Sequence, residues 1–293
     1  MDVSIIFATH NRADVIGDVL NAWREVQKYT KYEFEIICSD DASDDETVEI
    51  IERAVDLPIT LIRNEKGGAS KARNAALKIA TGKIIIFTGD DIFPSVDFVN
   101  AHYENYLKHG PDIATLGRIE WHEDLKLNQL MYHITNVGCE QFGFIGLPPY
   151  QLIDFRHFYT SNISVSRELL DRVDIYFNTD FDKYGFEDIE FGYRLQKCGM
   201  RIYYDPDIVV MHHHVYDDVD KFCNRQLSSG EELVVFQQMH DDLEDKCICD
   251  TVNCREALEK YLQKNRNNRS VAGHIIWMFV KISKIITRFI EEI

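Results

Sequence analysis

Four predominantly apolar runs near the start of the chain constrain its fold more than any other feature. "VSIIFA" (3–8), "FEIICS" (34–39), "ITLIR" (59–63) and "KIIIF" (83–87) are continuous rather than alternating. Strands of that kind are buried on both faces, as in a parallel sheet covered by helices. The segments between them supply the helices. Over 13–29, Val15, Ile16, Val19, Leu20, Trp23 and Val26 recur on one side of a helical projection. A second helix follows the acidic loop "DDASDDE" and runs to about Val55, and "ASKARNAALKIA" forms a third that Gly82 ends. Repeated βαβ units predict an α/β, Rossmann-like, mainly parallel central sheet flanked by helices. Ligands of such sheets bind beyond the carboxyl ends of the strands. Three polar clusters fall there: 9–12, 40–45, and Asp90 with Asp91.

The second half is less regular. "DIATLGRIEW" reads as a strand, 125–137 as a helix, and "GFIGLPPYQ" as a loop. "YTSNISVSRELLD" turns from strand to helix with Ser166 as its cap. A further helix spans 187–198, and "RIYYDPDIVVMHHH" is strand material ending in three histidines. The expected organisation is one domain over 1–215, with halves at about 1–115 and 116–215. A helical C-terminal extension, 216–293, follows.

A net charge of −17 argues against nucleic-acid partners, because neutralising phosphates takes a basic surface. An acidic protein that handles an anionic substrate instead recruits a metal or local arginines, so its aspartate clusters matter. The seven cysteines show no regular spacing, and Cys247, Cys249 and Cys254 lack the paired CxxC of a zinc site. Together with a start that has no basic signal-peptide region, they predict a cytoplasmic protein with reduced thiols. The tail reverses the overall sign. Lys281, Lys284 and Arg288 share one helical face, opposite Ile282, Ile285, Ile286 and Phe289. Two readings stay open for 270–293: peripheral contact with an anionic membrane, such as the inner face of the plasma membrane, or packing on the domain or on a second copy.

The segments "SIIFATHNR", "ICSDDASDDET", "GGASKARNAAL", "IIIFTGDDIFP" and "YGFEDIEFGYRLQKCG" occur in that order. Together, over roughly 3–215, they resemble the inverting, family 2 nucleotide-sugar glycosyltransferases of the GT-A fold. The resemblance implies a hexosyltransferase with a UDP-sugar donor, a divalent ion (Mn2+ or Mg2+) and a glycan, polysaccharide or lipid-linked acceptor. Asp41 then looks like the uracil partner, with Thr9 and Arg12 at the nucleotide edge and Arg73 along the base or diphosphate. Asp91 corresponds to the family's metal ligand and Asp90 to its ribose partner, although Thr88 stands where the family pattern has another aspartate. In the pair Glu187 and Asp188, the aspartate corresponds to the general base and the glutamate to a group that positions the acceptor. His212 is the favoured additional metal ligand, with His214 second.

Plainer readings accompany each assignment. Asp40 and Asp41 could cap the next helix, Arg73 could line a solvated helix face, and an acidic pair at a helix start is favoured by the dipole alone. Glu190 reads as facing solvent. Trp121, His122 and 160–162 are candidate sugar or acceptor neighbours, with core packing equally open for Trp121. A nucleotidyltransferase would need an early glycine-rich, lysine-bearing loop, which "FATHNRADV" lacks, and a non-catalytic binder would have little use for both Asp91 and Asp188.

Overall fold

The computed structural model describes residues 1–137, 141–181, 183–240 and 242–243. The cysteine trio and the basic tail therefore lie outside the described residues. Two compact units make up the chain. The first comprises Met1–Lys126, Gly146–Asp182 and Glu187–His214; the second comprises Leu127–Ile145, Lys183–Phe186 and the residues from Val215 onward.

A nine-stranded sheet forms the first unit. Its parallel half is β3 (Ile59–Arg63), β2 (Phe34–Asp40), β1 (Val3–Thr9) and β4 (Ile84–Thr88), in that spatial order. These are the four apolar runs, and β1 and β4 have no exposed residue. Helices α1 (Ile16–Tyr29), α2 (Thr47–Glu52) and α3 (Gly68–Ile79) make the crossovers. Trp23, Val19 and Val26 of α1 are fully buried, as their spacing predicts.

Beyond β4 the sheet becomes mixed. The strand β8 (Asn162–Ser166) pairs antiparallel with both β4 and β6 (Ile113–Trp121). β6 runs parallel to β9 (Arg201–His212), and the short β5 (Ile92–Pro94) and β7 (Leu152–Ile153) pair antiparallel with β9. Between β5 and β6 lies α4 (Phe98–His109), and Ser166 caps α6 (Arg167–Leu170) as expected. The helix α7 (Glu187–Lys197) begins at the acidic pair. In the second unit are α5 (Gln129–Asn136) and α8 (Val219–Met239). No helix among the described residues is long and apolar enough to cross a membrane.

One irregularity interrupts the pairing of β6 with β9. Gly117 pairs with Asp205, but Arg118 pairs with Val209, so residues 206–208 bulge opposite a single peptide. Asn162 fills the notch: its Nδ2 donates to the carbonyls of Arg118 and Ile208, both at 3.0 Å. Its Oδ1 meets His102, whose other ring nitrogen meets Ser164. Burial drives the His102 pKa down to about 4, so the ring is a neutral structural element. Asn162 is thus a fully buried staple, not the sugar neighbour its sequence position suggests. A Cβ at Gly117 would lie 2.3 Å from Asn162 Nδ2 and 2.4 Å from the Ile208 carbonyl oxygen. We expect Gly117→Ala to lower unfolding stability by about 1–3 kcal/mol, the usual cost of overpacking. Urea unfolding measures it, and an unchanged midpoint would mean that the notch has slack.

Candidate active site

Three parallel strands end together at the carboxyl edge. Thr9 ends β1 in register with Asp40 at the end of β2, and the Asp41 N–H donates to the Thr9 carbonyl at 2.8 Å. Two residues of these loops, Asn11 (φ 53°) and Ala42 (φ 59°), adopt left-handed backbone. Such conformations persist only where surrounding contacts enforce them, and they concentrate at functional sites. Asp41 accepts the N–H groups of Gly67 (2.7 Å) and Gly68 (2.9 Å), which ties the start of α3 to the end of β2. Two donors leave acceptor capacity on a carboxylate that has about four lone-pair sites. Asp40 instead accepts the Ser43 N–H.

After β4, Gly89, Asp90 and Asp91 form a tight turn, and β5 starts immediately. The turn tucks both carboxylates in: Asp90 is 8% and Asp91 9% exposed. Arg12 answers their mutual repulsion, with Nε 3.2 Å from Asp90 Oδ1 and Nη2 3.5 Å from Asp91 Oδ2. Burial, then the Asp91 charge, pushes the Asp90 pKa up to about 6, opposed by Arg12 and by the Thr9 hydroxyl. Burial also raises Asp91, but His212, Arg12 and His214 outweigh it and bring Asp91 down to about 2. Asp91 is therefore the carboxylate held as an anion.

The histidines reach Asp91 because of strand register. Ile92 pairs with His212, and the His213 N–H donates to the Asp91 carbonyl at 2.9 Å. Alternation along the chain then turns His212 and His214 to one side and His213 to the other. His212 Nε2 lies 3.3 Å and His214 Nδ1 3.8 Å from the same Asp91 Oδ2, and the two rings stack within 9° of parallel. His213 packs instead with Phe93 and His122. Trp121 stacks on His212 at 5.5 Å, so its ring supports the histidine pair.

Asp91, His212 and His214 offer one carboxylate and two imidazoles, a donor set that suits Mn2+ at least as well as Mg2+. Among the described residues no group of three or more His, Cys, Asp or Glu stands in an arrangement that could hold an ion. Two imidazole nitrogens, 3.3 and 3.8 Å from one Asp91 oxygen, face an anionic carboxylate, and the chemistry of that donor set fits a divalent cation.

The second acidic pair opens α7. Phe191 on the inner face of that helix packs against Phe158, Phe177 and Phe87, the last of these on β4. One aromatic cluster therefore fixes both the strand that leads to Asp90 and the helix that starts with Glu187. Arg73 Nη1 pairs with Glu187 Oε1 at 3.0 Å, and its guanidinium lies 5.3 Å from the Phe177 ring centre. Neither group lies on a solvated face. Asp188 retains some open surface, yet protein surrounds it densely enough that desolvation raises its pKa to about 7. Glu187 adds to that rise, while Arg73 and the backbone N–H groups of Ile189 and Thr160 oppose it. Glu190 corrects the sequence reading: it is 1% exposed and pairs through both oxygens with Arg194 (2.7 and 3.0 Å). Arg194 in turn donates to the carbonyls of Ile175 and Tyr176, which ties α7 to the preceding loop.

All of the expected site residues lie in the first unit. Thr9, Arg12, Asp90, Asp91, His212 and His214 form one connected group; Arg73, Glu187 and Asp188 form a second; Asp41 anchors the loop before α3. The Arg12 bridge and the Arg73–Glu187 pair were not expected, and sequence separations of 78 and 114 residues leave no local signal for them.

Known proteins bear on this arrangement. A Dolichyl N-acetyl-alpha-D-glucosaminyl phosphate 3-beta-D-2,3-diacetamido-2,3-dideoxy-beta-D-glucuronosyltransferase of Methanococcus voltae is 27% identical over 243 residues, covering 78% of this chain and 71% of that protein. The poly(ribitol-phosphate) beta-N-acetylglucosaminyltransferase TarS of Staphylococcus aureus is 32% identical over 117 residues. That match covers 36% of this chain and only 20% of TarS. The crystal structure of TarS 1–349 with UDP-GlcNAc aligns with a TM-score of 0.61 at 20% identity, covering 96% of this chain and 71% of that one. The mannosyltransferase PcManGT of Pyrobaculum calidifontis, in complex with GDP-Man and Mn2+, aligns at 0.58 with 23% identity, covering 83% and 65%. Likeness at that identity bears on the fold, and it is the GT-A fold. The profile of Glycosyl transferase family 2 matches residues 4–173, more than half of the sequence. With that profile running through the parallel strands and the Asp90–Asp91 turn, the chain belongs to glycosyl transferase family 2 and is an inverting hexosyltransferase of the GT-A fold.

Proposed function

We propose that the chain moves a sugar from a UDP-sugar to a hydroxyl of a glycan, polysaccharide or lipid-linked acceptor, with Asp188 as general base. The observation that carries the reading is the convergence of His212 and His214 on the buried, ionised Asp91 at the sheet's carboxyl edge. Asp91, His212 and His214 would hold Mn2+ or Mg2+, which when bound offsets negative charge on the diphosphate. Thr9, Arg12, Asp41, Arg73 and Asp90 would receive the nucleoside diphosphate, with Asp90 toward the ribose and Asp41 toward the uracil.

Asp188 then takes the proton of the acceptor hydroxyl. The freed oxygen pair forms a bond to the anomeric carbon, and the bond from that carbon to the diphosphate oxygen breaks with its electrons leaving on UDP. A single displacement inverts the anomeric centre and needs one base. Arg73, paired to Glu187 beside Asp188, opposes its protonation and holds Glu187 in place for acceptor contact. Contact with a membrane through 270–293, and association with a second copy, belong to the same proposal and rest on the sequence of the tail alone.

The test is a panel of UDP-, GDP- and dTDP-sugars scored for donor hydrolysis with and without Mn2+, preceded by thermal shift with the free nucleotides. Stabilisation by UDP, and Mn2+-dependent cleavage of one UDP-sugar, are expected. Preference for GDP or dTDP would overturn the donor assignment.

A further inference from the structure

Four residues, Lys183–Phe186, belong to the second unit although the chain on both sides of them belongs to the first. They run directly into Glu187 and Asp188. Their backbone is unusual: Gly185 has φ 106° and Phe186 φ 66°. A left-handed phenylalanine is a genuine outlier and persists only when its surroundings enforce it. Helix α8 provides those surroundings. Glu232, 2% exposed, accepts the Lys183 N–H at 3.0 Å, and Glu231 pairs with the Lys183 ammonium. Arg225 lies over the Tyr184 ring, 3.7 Å from its centre. Ser229 approaches Gly185 so closely that a Cβ there would sit 2.7 Å from its hydroxyl oxygen, and Phe236 packs on Phe186 at 6.2 Å. Every residue of the tetrapeptide thus meets a different α8 side chain, at positions 225, 229, 231, 232 and 236 along the helix.

We infer that α8 is a positioning element for catalysis: it holds Lys183–Phe186 in the one backbone path that delivers Asp188 to its place at the start of α7. The inference rests on the functional reading of Asp188 given above. It assigns a role to a helix that lies beyond the family profile, which ends at residue 173. Glu232 is its central positioning residue, because it anchors a backbone N–H rather than a side chain.

The test compares Glu232→Ala, which removes the acceptor, with Glu232→Gln, which keeps one, in the full chain. For Glu232→Ala we expect kcat to fall about a hundredfold, in line with misplacement by an ångström, with UDP affinity unchanged. The acid limb of its kcat–pH profile should move to lower pH, because a displaced Asp188 loses part of its desolvation. Hydrogen exchange of the 183–189 amides should speed up while that of β1 to β4 stays slow. Glu232→Gln should restore kcat and the pH limb to near wild type. Wild-type kcat and loop exchange in Glu232→Ala would overturn the inference. So would a loss of kcat matched by equal loss of UDP binding and faster exchange in β1 to β4, which would make Glu232 a general stability residue. If the wild-type chain transfers no sugar at all, the functional reading fails, and the exchange comparison still decides whether α8 holds the loop.

Discussion

Asp188→Asn should lose transfer by about a thousandfold while binding UDP as the wild type does. General-base assistance contributes roughly 10²–10⁴-fold, and the amide keeps the shape while removing the basic oxygen. Asp188 is not itself among the residues expected to receive the nucleoside diphosphate, so calorimetric UDP affinity is the control that separates chemistry from folding. The same residue predicts the pH dependence. Desolvation and Glu187 raise its pKa to about 7. Below that pH the carboxyl carries a proton and cannot accept another, so kcat should climb as pH rises through about 7 and then level off. Mutating Arg73 to Gln removes the cation that opposes this shift and should move the limb to still higher pH. Near-normal transfer by Asp188→Asn, or an acid limb near 4, would remove Asp188 as the base.

Asp91→Ala should abolish the dependence of UDP binding on Mn2+. Three groups turn toward this one carboxylate, Arg12, His212 and His214, while the neighbouring Asp90 carboxylate repels it. Removing a hard anionic ligand from such a set costs more than the 10–100-fold typical of an outer hydrogen-bond partner, so Mn2+ affinity should drop by at least about a hundredfold. Titrating UDP with and without Mn2+ into wild type and variant measures it. Equal UDP affinities in all four titrations would sink the metal assignment. His212→Ala should weaken the ion less than Asp91→Ala, because the anion is lost only in the latter.

The parallel half of the fold was legible because its signal is local. Runs such as "IIIF" at 84–87 carry no polar residue on either face and are fully buried, which points to a sheet covered on both sides. The mixed half was less legible. Whether β8 runs antiparallel to β4 depends on loop geometry that the sequence of β8 does not encode. At the site, register brings the residues on strand ends together; two-residue alternation puts His212 and His214 on a common side, and the pairing of Ile92 with His212 turns that side to Asp91. Residues whose surroundings are set by packing rather than by strand register sit differently from their sequence reading. Glu190 looked like one more surface acid, yet Arg194 one turn later makes it a buried anchor. Asn162 looked like a polar strand-end residue facing substrate, whereas the bulge at Gly117 draws it inward.

That bulge also makes the three adjacent histidines unequal under changes of chain length. Beyond residue 208, facing is fixed by parity: even-numbered positions 210, 212 and 214 point one way, odd-numbered ones the other. Losing or gaining a single residue between the bulge and the strand end would present a different histidine to Asp91 and send the stacked pair to the Phe93 side. A change of two residues would leave the facing intact but keep only one of the two imidazoles beside Asp91. Relatives that vary here should therefore differ by even steps, which keep an imidazole of the same parity beside Asp91.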